Sequence, residues 1–295
     1  MKKTLTAVYF FLLMICILGI TSCSEDSSDT NSTPESLEAE IQMNVSYGAN
    51  SQQVYDIYLP ANRSDTKTKV IVLVHGGGWT GGDKADMEPF ISNIQDAHPD
   101  HAIVNMNYIL AQPPAIPAFP NQFEDIGRVL NDLETASETL QIKPEFALIG
   151  ASAGAHISLQ YDAVYDETDR VKMVCDIVGP TDFTDPFYSD DPTFDFVLSA
   201  LVDEDAYPNT TDYASAVSPA LNISTTSSPT IMFYGDEDPL VPTSNAITLA
   251  DSLSAASVDN NYTIYNGGHG NWSEEDQENL QQQLSAYIST YFSIE

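Results

Sequence analysis

Hydrophobic and polar positions along this chain follow two periods that take turns. Short apolar, β-branched runs at residues 54–59, 70–74, 102–108, 146–149, 171–178, 230–234 and 262–265 have the length and composition of buried strands. Between them, residues 86–97, 122–140, 154–165, 244–256 and 274–291 repeat apolar side chains at helical spacing. Strands alternating with helices predict βαβ crossovers, hence a mostly parallel central sheet flanked by helices on both faces. Residues 42–47, paired with 54–59, predict an antiparallel opening to that sheet.

One stretch breaks the alternation. From Pro180 to Pro219 the chain is rich in Asp, Pro, Phe and Tyr, with a helix-like core at 194–202. It follows a strand, and ligands of parallel α/β sheets bind beyond the carboxyl ends of the strands. Residues 181–217 therefore predict a lid-like insertion over that end.

The amino terminus has a different pattern. Lys2-Lys3, an apolar run from Ala7 to Ile20 and Thr21-Ser22 before Cys23 read as an export leader over residues 1–22, too short to span a bilayer. Ile20-Thr21-Ser22-Cys23 resembles the lipobox of bacterial lipoproteins, in which the cysteine becomes the lipidated first residue. Glu25-Asp26 and Asp29 resemble the acidic surface-export tags of Bacteroidetes-type lipoproteins. Residues 23–38, almost without apolar side chains, predict a disordered tether, and residues 39–295 a single α/β domain. The expected location is the bacterial cell envelope, lipid-anchored, with the outer-membrane surface as one option.

Forty-three acidic residues against ten basic ones give a net charge of −33. Such a field repels nucleic acid and anionic headgroups and leaves neutral substrates open, so no nucleic-acid partner is expected and the membrane is met only through the anchor. Of three cysteines, Cys16 lies in the leader and Cys23 at its end. Cys175, inside a strand, reads as a small core residue, and no disulfide framework exists.

Gly150-Ala151-Ser152-Ala153-Gly154 follows the 146–149 strand and opens a helix. In that context a G-x-S-x-G string is a nucleophile elbow, with the serine at the tip of a sharp turn and at the positive end of the helix. A serine hydroxyl attacks at neutral pH only if an imidazole takes its proton. Five histidines are available. His98 and His101 flank a strand entrance at the wrong end of the sheet. His75 belongs to a glycine loop, and His156, one helical turn past Ser152, is expected to be buried against the sheet. His269 remains, in Gly267-Gly268-His269-Gly270 after the last strand. The carboxylate that orients it comes from Asp236, Glu237 or Asp238, in the loop after residues 230–234. His75-Gly76-Gly77-Gly78-Trp79, after the 70–74 strand, leaves backbone N–H groups that could join that of Ala153 in binding an oxyanion.

These strings, with Gly82-Asp83-Lys84, Phe119-Pro120, Gln122, Asp125, Ser218-Pro219 and Gly235 to Pro242, resemble the α/β-hydrolase esterases related to hormone-sensitive lipase. The nearest likeness is to the bacterial group that includes bifunctional feruloyl and acetyl-xylan esterases, over the chain from about Val54 to its end. The resemblance implies an α/β-hydrolase fold and ester cleavage through an acyl-enzyme. It further implies Ser152, Asp238 and His269 as triad, with Gly77, Gly78 and Ala153 as oxyanion donors and no metal or organic cofactor. Asp236 is the alternative acid. The chain departs from the pattern in two places. Ile109-Leu110 stand where an arginine and an apolar residue usually follow Asn-Tyr, which removes a buried cation near Asp125, and Ala155 stands where a second glycine is common. Asp125 is assigned no catalytic duty.

The aromatic residues Phe183, Phe187, Tyr188, Phe194, Phe196, Tyr207 and Tyr213 crowd the expected lid. They suit either sugar recognition or packing of the lid onto the body. The spacing of the aspartates from Asp182 to Asp195 matches no calcium loop. The leading expectation is a serine carboxylesterase that hydrolyses the acyl group of a small ester or polysaccharide ester, with an acetyl or feruloyl carbohydrate ester as the favoured substrate. An exopeptidase or amide hydrolase with the same triad, and a catalytically silent binding protein, are the alternatives.

Overall fold

A computed structural model of the chain describes residues 37–207 and 212–294. The expected leader, Cys23 as the expected lipidation site and most of the expected tether fall on residues 1–36, outside the described residues. Eight strands among the described residues form one sheet: β1 (Glu40–Ser46), β2 (Val54–Leu59), β3 (Val70–Val74), β4 (Ala102–Met106), β5 (Phe146–Ala151), β6 (Val171–Ile177), β7 (Thr230–Gly235) and β8 (Asn260–Tyr265). Their order is β1-β2-β4-β3-β5-β6-β7-β8. Only the β1–β2 and β2–β4 pairs are antiparallel, and from β4 to β8 all are parallel. This is the α/β-hydrolase fold expected from the alternating pattern.

Because side chains alternate across a strand, β3 sends Val70, Val72 and Val74 to one face and Ile71 and Leu73 to the other, all fully buried. On the second face lie α1 (Glu88–Ala97) and, at the end of the chain, a long helix over Glu274–Tyr291 that buries Leu280, Leu284 and Ile288. The first face is covered by α2 (Asn121–Thr135), the short α3 (Ser137–Leu140) and α4 (Ala153–Gln160). Each large apolar side chain so removed from water contributes about 2 kcal/mol before the entropy of ordering is set against it.

The insertion after β6 contains three short helices, α5 (Pro186–Ser189), α6 (Phe194–Leu201) and α7 (Tyr213–Ala216), and is followed by α8 (Pro219–Asn222). The chain then continues through β7, α9 (Ser244–Ala255), β8 and α10, the Glu274–Tyr291 helix. Two of the expected helices differ in form. The one expected over 122–140 breaks at Ala136, where ψ is 1°. The one expected over 154–165 ends its α-helical part at Gln160 and continues as a π-helical turn over Tyr161–Tyr165. That turn carries the buried Asp162, whose carboxylate accepts the N–H and hydroxyl of Ser228, so a distant segment sets the local geometry.

The sheet creates one natural crevice. From β3 the chain crosses to β4 on one side, whereas from β5 it crosses to β6 on the other, so the loops leaving β3 and β5 diverge. Val74 and Gly150 stand opposite each other in register at the ends of these strands.

Candidate active site

Ser152 stands at that crevice, between the last residue of β5 and the first of α4. Its φ of 52° and ψ of −119° lie in a region that L-residues rarely occupy. Packing on both sides holds it there. Ser152 N–H donates to the Ile177 carbonyl at the end of β6 (2.7 Å), and its own carbonyl accepts from His156 N–H (3.1 Å). Gly154 lets the first turn of α4 rest on the end of β3, since a Cβ there would collide with the carbonyl oxygens of Val74 and His75.

His269 Nε2 lies 2.8 Å from Ser152 Oγ, and His269 Nδ1 lies 2.6 Å from Asp238 Oδ2. The histidine side chain is 22% exposed and the Asp238 carboxylate fully buried. The two loops meet because β7 and β8 are parallel neighbours whose ends align, Gly235 opposite Tyr265. Asp236 does not reach the ring. Its carboxylate accepts Gly267 N–H (3.0 Å), while Asp236 N–H donates to the Tyr265 carbonyl (2.9 Å) and Glu237 N–H to the Gly267 carbonyl (2.9 Å). The second oxygen of Asp238 accepts the N–H groups of Leu240 (2.8 Å) and Val241 (3.1 Å), so one carboxylate caps its own turn and holds the imidazole.

The glycine loop leaves β3 beside this pair. A Cβ built on Gly76 would stand 3.2 Å from that of Ser152, which places the loop against the serine. Gly77 and Gly78 have φ of 115° and 57°, left-handed values that turn their backbone out of the strand direction. Among the described residues the N–H groups of Gly77, Gly78 and Ala153 donate to no other backbone or side-chain group. Gln122, fully buried on α2, donates to the carbonyls of Trp79 (2.7 Å) and Ile109 (2.8 Å), and Tyr108 donates its hydroxyl to the His75 carbonyl (2.9 Å). In the sequence Gln122 stands only as part of a motif. Its work of tying the glycine loop to α2 becomes visible in these bonds.

Gly82-Asp83-Lys84 is a structural unit. Asp83 caps the turn Lys84–Met87, and Lys84 pairs with the buried Asp56 of β2. Asp125 is also structural. Its fully buried carboxylate accepts from Gln53 Nε2 (2.7 Å), Ile109 N–H (2.8 Å) and Arg128 (2.6 Å), so α2 itself supplies a cation beside it. His98 and His101 lie at the far end, bonded to Ser285 Oγ (3.0 Å) and the Phe292 carbonyl (2.9 Å). His156 corrects an expectation. It is fully buried, and its ring neighbours Trp79, Phe119, Phe123 and Phe183 come from the glycine loop, α2 and its approach, and the lid, none of them a strand residue. Residues four apart share a helix face, and the face it shares with Ser152 looks toward the glycine loop and the lid.

The lid is clamped at both ends. Ser218 Oγ accepts Phe183 N–H (2.7 Å), Asn245 Oδ1 accepts the N–H groups of Thr181 (2.7 Å) and Asp182 (3.0 Å), and Ser244 donates to Asp185 (2.5 Å). Phe183, Tyr188 and Phe194 pack on one another, and Tyr207 meets Tyr213, while Phe187 and Phe196 remain 47% and 79% exposed. The aspartates of the segment serve local turns: Asp182 accepts from Thr184, Asp185 from Phe187 and Asp191 from Thr193.

Beneath the elbow lies a second buried carboxylate. Asp176 of β6, opposite Gly150, accepts Gly179 N–H (2.7 Å), and its other oxygen lies 2.5 Å from the Tyr234 hydroxyl, itself 2.6 Å from the Gly179 carbonyl. One hydroxyl proton cannot serve both oxygens. A proton on Asp176 completes the chain from carboxyl to phenol to carbonyl, and burial pushes its pKa up to about 7.

Taken as chemistry, a serine in line with an imidazole and a buried carboxylate, beside unpaired N–H groups, is suited to nucleophilic attack on a carbonyl carbon. Residues 55–253 match the family model described as BD-FAE. The isoprenylcysteine alpha-carbonyl methylesterase ICME of Arabidopsis thaliana is 22% identical over 244 residues, 77% of this chain. The chain spans 56% of the length of that relative. A truncated form of a carbohydrate esterase from gut microbiota superposes with a TM-score of 0.64 at 18% identity, over 84% of this chain and 97% of that one. The acetyl ester-xyloside bifunctional hydrolase from Caldicellulosiruptor lactoaceticus does so with a TM-score of 0.65 at 16% identity, over 86% and 97%. These superpositions show a shared fold. The family match covers more than half of the chain, and the chain belongs to the BD-FAE family.

Proposed function

We propose that this protein is a serine carboxylesterase that removes an acetyl or feruloyl group from a carbohydrate ester. The observation that carries the reading is the continuous line from Ser152 Oγ to His269 (2.8 Å) and from His269 to Asp238 (2.6 Å). Ser152 attacks the ester carbonyl carbon while its proton passes to His269 Nε2. Asp238 holds the ring with Nδ1 protonated and stabilises the imidazolium that forms. The oxyanion receives the N–H groups of Gly77, Gly78 and Ala153, each such donor being worth about 10²–10³ in kcat in comparable sites. The tetrahedral adduct then expels the alcohol, which takes the proton from His269. Water, deprotonated by the same imidazole, attacks the acyl-serine and returns the free enzyme and a carboxylic acid. None of these steps calls on a metal.

The sugar side of the reading rests on three supports. Phe187 and Phe196 leave aromatic faces open on the lid. The net charge of −33 disfavours anionic substrates. Proteins of similar fold are a carbohydrate esterase and an acetyl ester-xyloside hydrolase. The test compares p-nitrophenyl acetate, acetylated xylan and feruloylated arabinoxylan with wild type and Ser152→Ala. The wild type should cleave at least one carbohydrate ester and the variant none, and equal rates for the two proteins would overturn the serine mechanism.

The same reading places the enzyme in a bacterial envelope, anchored through a lipid on Cys23 after removal of the leader. Labelled palmitate should enter the wild type and not Cys23→Ala, and an unlabelled, freely soluble wild type would refute the anchor.

A further inference from the structure

His156 has both ring nitrogens committed. Trp79 Nε1 lies 3.2 Å from Nδ1, and the Val217 carbonyl oxygen 2.8 Å from Nε2. An indole N–H can only donate and a carbonyl can only accept, so Nδ1 is bare and Nε2 carries the proton. The ring is therefore neutral and of one tautomer, and burial pushes its pKa down to about 4.

What this ring touches is unusual in kind. Trp79 directly follows Gly78 and has a φ of 62° without being glycine, a strained conformation that persists only where its surroundings over-determine it. Those surroundings can be enumerated. The Trp79 carbonyl accepts from Ala111 N–H (2.9 Å) and Gln122 (2.7 Å), its indole packs edge-on against Phe119 and Phe183, and its indole N–H meets His156. Val217 stands at the foot of the lid, next to the Ser218 that holds Phe183. One side chain on the helix of Ser152 is thus bonded to the glycine loop on one side and to the lid on the other.

We propose that His156 is a positioning residue that sets the oxyanion loop and the lid against Ser152, its Nδ1 serving the loop and its Nε2 the lid. The proposal rests on the esterase reading for its effect on rate but not for its effect on Trp79. Removing the acceptor frees the indole, releases the strain at Trp79 and lets the N–H groups of Gly77 and Gly78 drift from the carbonyl they are to polarise. Such donors act through fixed geometry, so the loss falls on kcat.

The two arms can be cut separately. His156→Gln keeps a donor near the Nε2 position and loses the Nδ1 acceptor, whereas His156→Asn keeps an acceptor near Nδ1 and cannot reach Val217. Trp79 and Trp272 are the only tryptophans, so a Trp272→Phe background leaves Trp79 emission as a direct signal. His156→Gln should shift that emission and lower kcat by about 10-fold on small and large esters alike, with KM within about two-fold. His156→Asn should keep the emission and lose less kcat on p-nitrophenyl acetate than His156→Gln does, while its KM on a polymeric ester rises several-fold. Unchanged emission and unchanged kcat in folded His156→Gln would overturn the proposal, as would identical losses in the two variants. Emission repeated with Ser152→Ala present separates the outcomes. An emission shift there with no serine-dependent turnover in the wild type would sink the esterase reading while leaving the contact of His156 with the loop standing.

Discussion

Asp236 holds the backbone of the loop that carries His269, accepting Gly267 N–H at 3.0 Å, while Asp238, two residues further on, holds the ring itself at 2.6 Å. The two carboxylates divide one task. Asp238→Asn should lower kcat by about 10⁴, since an amide presents the wrong partner to one tautomer of the ring. Asp236→Asn, which keeps an acceptor for Gly267, should stay within about ten-fold of wild type. Steady-state kinetics on p-nitrophenyl acetate decide the matter, and a reversed order of the two losses would exchange the roles.

Asp176 predicts a pH dependence of stability. Unfolded, its carboxyl titrates near 3.8, and folded, near 7, because burial disfavours the charge. The folded state therefore binds an extra proton between those values. Its contribution to stability is complete below about pH 4 and is lost as the pH rises through 7, on the order of 2–4 kcal/mol in all. Asp176→Asn can donate to the Tyr234 hydroxyl as the protonated acid does. Thermal melts should show the variant more stable than wild type at pH 8 and not at pH 5, and parallel curves at both would refute a buried proton.

Gly154→Ala tests the contact of α4 with β3. The added methyl meets the carbonyl oxygens of Val74 and His75, neither of which can move without breaking the register of Val74 with Gly150. A loss of about 2–4 kcal/mol is expected in chemical denaturation. A loss below about 0.5 kcal/mol would mean that the elbow is not packed in this way.

Phe196→Ala removes the most exposed ring of the lid. If that ring stacks on a sugar, KM on acetylated xylan should rise several-fold while turnover of p-nitrophenyl acetate stays level. Equal effects on both substrates would assign the ring to packing.

The fold was largely legible because its signals are local. The central strand β3 is an unbroken apolar run, and the elbow declares itself by the apolar strand β5 that runs through Gly150 and a helix that begins at Ala153. His269 emerged by elimination among five histidines, and the structure brings it to Ser152. Nothing in the string Asp236-Glu237-Asp238 says which carboxylate faces the ring, because that depends on where β8 ends relative to β7. The same holds for His156, whose neighbours lie 77 and 61 residues away, at Trp79 and Val217. The break at Ala136 and the π turn at Tyr161–Tyr165 are hidden in the sequence for a related reason. Periodicity continues through both, and in the π turn a long-range bond from Ser228 to Asp162 accompanies the change in winding.

Among the described residues β8 has a single neighbour in the sheet, and its outer surface leaves Tyr262 and Ile264 partly open to solvent. The loop that bears His269 hangs from this strand. The serine, by contrast, rises from β5, which is paired on both sides. The nucleophile and its base thus sit on parts of the molecule with unequal resistance to fraying. In rising urea, turnover should vanish before the far-ultraviolet signal falls, as the margin of the sheet loosens while its centre stays intact.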